Sequence, residues 1–155
     1  MGPGAAKSGM EVDTVLVPVD GSEDAMAAVE FAVAIARQYD AVVHALYVLG
    51  EDAATALREG ELEAAAIATR SEQVMAGVRS VAADRDVPVD HSSAHGFSRD
   101  RLAQHPGSVI LDVAESLDAG FVVVPREPVT GHPEAVIERA AEYVLAHASQ
   151  PVLSV

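Results

Sequence analysis

The chain has 155 residues, half of them hydrophobic, enough for one domain with a sizeable core and no covalent staples. It has no cysteine, which removes disulfides, thiolate metal sites and cysteine catalysis together. Ten basic residues against 24 acidic ones leave a net charge of −14, and only 4% of residues are aromatic. Such a chain repels nucleic acid and anionic lipid and offers few stacking platforms for bases.

Lys7 is the sole lysine; the other basic residues are arginines. An acidic, lysine-poor, Ala- and Val-rich composition suits a high-salt cytoplasm, where screening relieves self-repulsion. A GC-rich genome produces the same bias. No apolar run approaches the ~18–20 residues of a membrane span, and residues 1–9 have no apolar signal core. The expectation is a cytoplasmic protein with a flexible tail over residues 1–10 and one domain over 11–155.

Along the chain, TVLVPV at 14–19 is a β-branched run closed by the turn signal Asp20-Gly21-Ser22. Ser22 is a helix N-cap, Glu23 and Asp24 suit the first turn, and Ala25, Val29, Ala32 and Ala36 recur on one face. AVVHALYVL at 41–49 is a second strand. Residues 51–83, rich in Ala, Glu and Arg, form one long helix or two shorter ones with the stripe Ile67, Val74, Val78 and Val81. VPVDHSSA at 87–94 alternates as a strand, and 96–104 is a loop. Pro106 opens a helix whose apolar face is Val109, Ile110, Val113, Ala114 and Leu117. FVVV at 121–124 is a strand without alternation. Residues 126–131 are turn-rich, 133–147 helical with Val136, Ala140 and Val144 inward, and PVLSV at 151–155 is the last strand.

Strands alternating with helices, some uniformly apolar, imply a parallel sheet covered on both faces. Ligands of such sheets sit beyond the strands' carboxyl ends. Here those ends are Val19-Asp20, Leu49-Gly50, Ala94-Gly96 and Val124-Pro125.

Asp20 could bind a ribose hydroxyl, hold a metal, accept a phosphoryl group, or simply cap the turn into the first helix. A phosphoacceptor role fits badly, since no acid ends the third strand and no lysine ends the last. The six histidines (44, 91, 95, 105, 132, 147) lack metal-ligand spacing and read as solvated or core-satisfied. Ser22 lies outside a Gly-x-Ser-x-Gly elbow, so no nucleophilic triad has a local signature and no catalytic residue is assigned. Residues 125–133, with one glycine among three prolines and a glutamate, make a poor phosphate cradle.

VLVPVDGSEDAMAAVEFAVAIA, HALYVL, PGSVILDVAESLDAGFVVV and AAEYVLAHASQPVLSV together resemble the universal stress protein family. The resemblance runs from Val12 almost to the end, with an insertion-like gap at 97–105. It implies a three-layer α/β/α fold with a five-stranded parallel sheet of order 3-2-1-4-5 (Rossmann-like, adenine-nucleotide alpha-hydrolase-like). It also implies a homodimer through the C-terminal strand (Val152, Leu153, Val155), a stress-response role with an unidentified protein client, and no catalysis.

Nucleotide-binding members carry Gly-x-x-Gly, nine residues, then Gly-Ser or Gly-Thr. The ungapped match places those four positions on Pro125, Pro128, Glu138 and Arg139, and all depart. The adenosine side is better kept at Pro18, Val19, Asp20 and Val48, with Val124 at the fourth strand's end. The expectation is a chain that does not hold ATP tightly. The alternative is an ATP or AMP binder whose altered loop uses Arg126 and Arg139, since guanidinium forks suit phosphate.

Overall fold

The computed structural model describes residues 12–48, 59–60, 63–93, 106–125 and 143–155. The expected tail at 1–10, the loop at 96–104 and the turn-rich connection at 126–131 lie outside them, as does the helix reading over 133–142.

The strands are β1 (Thr14–Val19), β2 (Val42–Tyr47), β3 (Val89–Ser93), β4 (Phe121–Val124) and β5 (Val152–Ser154). They form one parallel sheet ordered β3-β2-β1-β4-β5. β1 is central, and Val15 to Val19 are all buried because both faces of the sheet are covered. The strand readings at 41–49, 87–94 and 151–155 were each longer than the paired segment. Ala41 and Val48 flank β2 as buried residues just outside the strand.

The helices are α1 (Glu23–Tyr39), α2 (Ala64–Ala83) and α3 (Pro106–Ser116), and residues 143–147 are also helical. From β1 to β3 the chain steps one way along the sheet, and from β3 to β5 it returns. Right-handed crossovers therefore put α1 and α2 on one face and α3 with the 143–147 helix on the other. α1 packs on β1, β4, β2 and α2, and α2 packs on β2 and β3.

Ser22 starts α1 as expected: it is extended, and its Oγ accepts from the Ala25 N–H at 3.1 Å. Ala25, Ala28, Val29, Ala32, Val33 and Ala36 then face the core. The stripe of α2 needs correction. Ile67 and Val78 are buried, but Met75 and Ala82 fill the deep positions while Val74 and Val81 lie at the flank. A search for branched residues alone shifts this face, because a methionine and an alanine carry half of it.

Three helix ends share one design. Ala41 N–H reaches the Ala36 carbonyl (2.7 Å), Val87 reaches Ala82 (3.0 Å) and Ala119 reaches Ala114 (2.9 Å). The preceding N–H groups of Asp40, Asp86 and Asp118 bond back to Arg37, Ala83 and Glu115. These are Schellman motifs, and the left-handed position, usually glycine, is an aspartate each time, at φ 55°, 56° and 52°. The sequence repeats accordingly: ARQYDA, AADRDV, AESLDA. The residue after each aspartate is buried and leads into the next strand.

His44 is the one buried polar residue among those described. Its Nε2 hydrogen-bonds Ser92 Oγ at 2.8 Å, across from β2 to β3, so this histidine is core-satisfied. Burial pushes its pKa below the ordinary 6.5, Asp90 pulling the other way and His91 adding to the drop. A histidine lowered in the fold stabilises above the unfolded value. That contribution drains away as pH falls below 6.5, where the unfolded chain takes up the extra proton. Urea unfolding from pH 7.5 down to 5 should therefore show a steeper loss for the parent than for His44→Gln; parallel curves would refute it.

Candidate functional site

The carboxyl edge of the sheet collects the kept half of the expected site. Pro18 and Val19 end β1 with no exposed surface to spare, Val48 follows β2, and the Val48 N–H donates to the Val19 carbonyl at 2.9 Å. Val124 and Pro125 end β4 beside them, both buried. Neither Val124 nor Val48 has a free backbone on every side: the Val124 carbonyl accepts from Val155 N–H at 3.0 Å. Arg126 and Arg139, with Pro128 and Glu138, lie outside the described residues.

Asp20 stands at the hinge of this edge. Its Oδ1 accepts from the Ser22 N–H at 2.9 Å, so the carboxylate caps the turn into α1, one of the roles the sequence left open. This bond occupies one lone-pair direction of one oxygen, and among the described residues the other oxygen has no hydrogen-bond partner. Between them Gly21 sits at φ 88°, a left-handed conformation that a side chain would strain. A Cβ there would also press on Val74 of α2 at 3.3 Å. The turn is therefore glycine for two independent reasons.

Tyr47 was missed by the sequence reading, which took HALYVL only as a strand. It ends β2 in one row with Val19 and Ser93. The residue is only 3% exposed. Burial raises its phenol pKa, with Arg70 on α2 opposing and Asp20 reinforcing the rise. The only sequence signal was a polar-tipped aromatic in an otherwise aliphatic strand at the ligand edge. Among the described residues no group of His, Asp or Glu is arranged to hold a metal, and no helix is long and apolar enough to cross a membrane.

The universal stress protein family model matches residues 11–155. A universal stress protein of Methanocaldococcus jannaschii is 27% identical over 144 residues, covering 91% of this chain and 80% of that protein. Among solved structures, the Archaeoglobus fulgidus universal stress protein in complex with dAMP superposes with a TM-score of 0.64 at 18% identity, covering 94% of this chain and 98% of that one. A universal stress protein in complex with cAMP gives 0.61 at 17%, covering 94% and 97%. The sheet order, the β1 turn and the match over nearly the full length agree, and the chain belongs to the universal stress protein family.

Proposed function

We propose that this protein is a dimeric regulatory module of its family, not an enzyme, and does not hold ATP tightly. The observation behind this reading is Pro125. It is buried at the end of β4, where the family's phosphate loop would begin with glycine. A proline there presents no N–H to a phosphate oxygen, and its ring occupies the space a glycine would leave open. Calorimetry with MgATP at moderate salt should give millimolar affinity or weaker. A low-micromolar dissociation constant would overturn the reading.

The dimer reading rests on β5, the outer strand of the sheet beside β4. Val152, Leu153 and Val155 are only part-buried, and Val152 to Val155 carry no charged side chain to blunt the edge. By the register with β4, Val152 and Ser154 turn their own N–H and C=O groups away from the sheet. Two such edges meeting about a two-fold axis satisfy both rows. Ser154→Pro deletes one outward donor and leaves the β4 ladder intact, so light scattering should show monomer where the parent is dimer. A dimeric Ser154→Pro chain, with a chain ending at Gln150 equally dimeric and folded, would exclude β5 as the interface.

A second reading has its own observation. Pro18, Val19, Asp20 and Val48 lie side by side at the carboxyl edge, with one Asp20 oxygen unbonded among the described residues. This arrangement supports a small adenosine-class ligand on the β1–β2 side, the class seen in the relatives solved with dAMP and cAMP. A thermal-shift comparison of adenosine, AMP and ATP should then show stabilisation by the smaller ligands and none by ATP.

A further inference from the structure

We propose that Ser92 is a covalent modification site, a nucleophile that takes the acyl group of an uncharged thioester with His44 as its general base. The inference goes beyond the regulatory reading and depends neither on β5 nor on the β4 loop.

The sheet register assembles the group. His44 on β2 stands opposite Asp90 on β3, and paired residues of parallel strands share a face. Ser92, two residues further along β3, lies on that face as well. His44 Nε2 and Ser92 Oγ are 2.8 Å apart, although 48 positions separate them in sequence. That is the reach a hydroxyl nucleophile and its base require. A contact made across two strands has no local motif.

The surroundings set the base. His44 is buried, with Leu16 of β1 beside it in the register. α2 turns Met75, Val78 and Ala82 inward, and α1 turns alanines and valines. The charged groups that act on the imidazole are therefore those of β3, Asp90 and His91. Burial outweighs both and holds the ring neutral at pH 7, the form that accepts a proton. Asp90, exposed on the same row, favours the imidazolium once it forms. Ser92 is only part-buried, and β3 is the outer strand, so a small reagent meets the hydroxyl at the sheet's edge.

The chemistry is acyl transfer. In the acting tautomer Nδ1 carries the proton and the Ser92 O–H donates to Nε2. Oγ attacks the thioester carbonyl carbon while Nε2 takes the hydroxyl proton. The tetrahedral adduct then collapses: the carbon–sulfur bond breaks, the sulfur leaves with its electron pair, and Nε2 returns the proton to give a thiol. The products are an ester on Ser92 and one free thiol, with no redox change. A net charge of −14 selects an uncharged donor over an anionic one. The ester has no O–H to give His44, so modification unties β3 from β2 at this pair.

The test incubates the full chain with the S-acetyl derivative of N-acetylcysteamine and follows acetylation by intact mass and peptide mapping. The acetyl group should map to Ser92. His44→Gln should slow labelling about hundredfold, the contribution of a general base. In the parent the rate should rise with pH to a plateau whose midpoint lies below 6.5. Asp90→Asn, an exposed change that leaves the core alone, should move that midpoint to lower pH. A purely structural hydrogen bond would produce no such shift. Acetyl groups confined to Lys7 or the amino terminus would overturn the proposal. So would equal labelling of Ser92 with and without His44, or a rate that climbs with hydroxide and never levels.

Discussion

A chain carrying Asp40→Gly, Asp86→Gly and Asp118→Gly together should melt about 4–8 °C above the parent, for a gain of roughly 2 kcal/mol. Each aspartate occupies the left-handed position of a Schellman motif. An L-residue there strains its Cβ against the backbone by about 1–2 kcal/mol, less for aspartate because of its short polar side chain. Each also sets a carboxylate at the negative end of a helix, which costs about 0.3–1 kcal/mol at an exposed site. Glycine removes both penalties but loosens the unfolded chain, giving back about 0.4–1 kcal/mol. The balance is about 0.5–1 kcal/mol per site in glycine's favour. Two companion triples separate the causes. Alanine removes the same three charges, taking the net from −14 to −11, but keeps the Cβ strain, and should gain little or lose. Asparagine removes the charge and tolerates the conformation, and should fall between. An alanine triple as stable as the glycine triple would show that charge alone is responsible. A glycine triple that melts no higher than the parent would refute the account.

Gly107→Ala should lower stability by about 1–2 kcal/mol, although alanine is the better helix former. A Cβ at Gly107 would lie 2.7 Å from Tyr143 Cβ and Cδ1 and 2.9 Å from its Cγ. A rotamer change could swing the ring away but cannot move Cβ, whose place is set by the backbone, so one of the two helices must shift. Overpacking of that kind costs about 1–3 kcal/mol. The propensity gain from glycine to alanine is at most about 1 kcal/mol, and less in the first turn of α3. The clash wins. Chemical denaturation should show the loss, and a double-mutant cycle with Tyr143→Ala should recover part of it through a favourable coupling. A stability equal to or above the parent's for Gly107→Ala alone would mean that the close approach between α3 and the 143–147 helix is relaxed in solution.

The fold was largely legible because its signals are local or periodic. FVVV and TVLVPV are too uniformly apolar for anything but doubly covered strands, and Ser22 followed by two acids marks a helix start. The strand order came only from the family resemblance, since pairing of β1 with both β2 and β4 is a long-range fact that no window of sequence contains. Where the reading failed, the reason was size or context. Met75 and Ala82 carry the core face of α2 without looking like core residues. The three helix stops escaped notice because aspartate stands where glycine or asparagine is expected, and this chain has no asparagine at all. Asp20 was seen, with the turn cap among its alternatives. Tyr47 was not, because within HALYVL it reads as one more strand residue and only the sheet register sets it beside Val19 and Ser93.

The Asp20-Gly21 turn also bears on how the protein ages. Aspartate followed by glycine is the peptide pair that closes most readily to a cyclic imide, because glycine puts no side chain in the path of its own nitrogen. With no asparagine to deamidate, this single Asp-Gly step is the chain's main site for such damage. In the folded turn the carboxyl torsion is pinned by the Ser22 N–H, and Gly21 is held at φ 88° by its fit against Val74. Closure must wait for the turn to open. Reopening of the imide through its other carbonyl leaves an isoaspartyl link, one methylene longer in the main chain. The cap on Ser22 is then out of register and the free carboxylate is displaced from the ligand edge. Anything that tightens this turn would slow the loss, so the shelf life of the protein records how often the turn stands open.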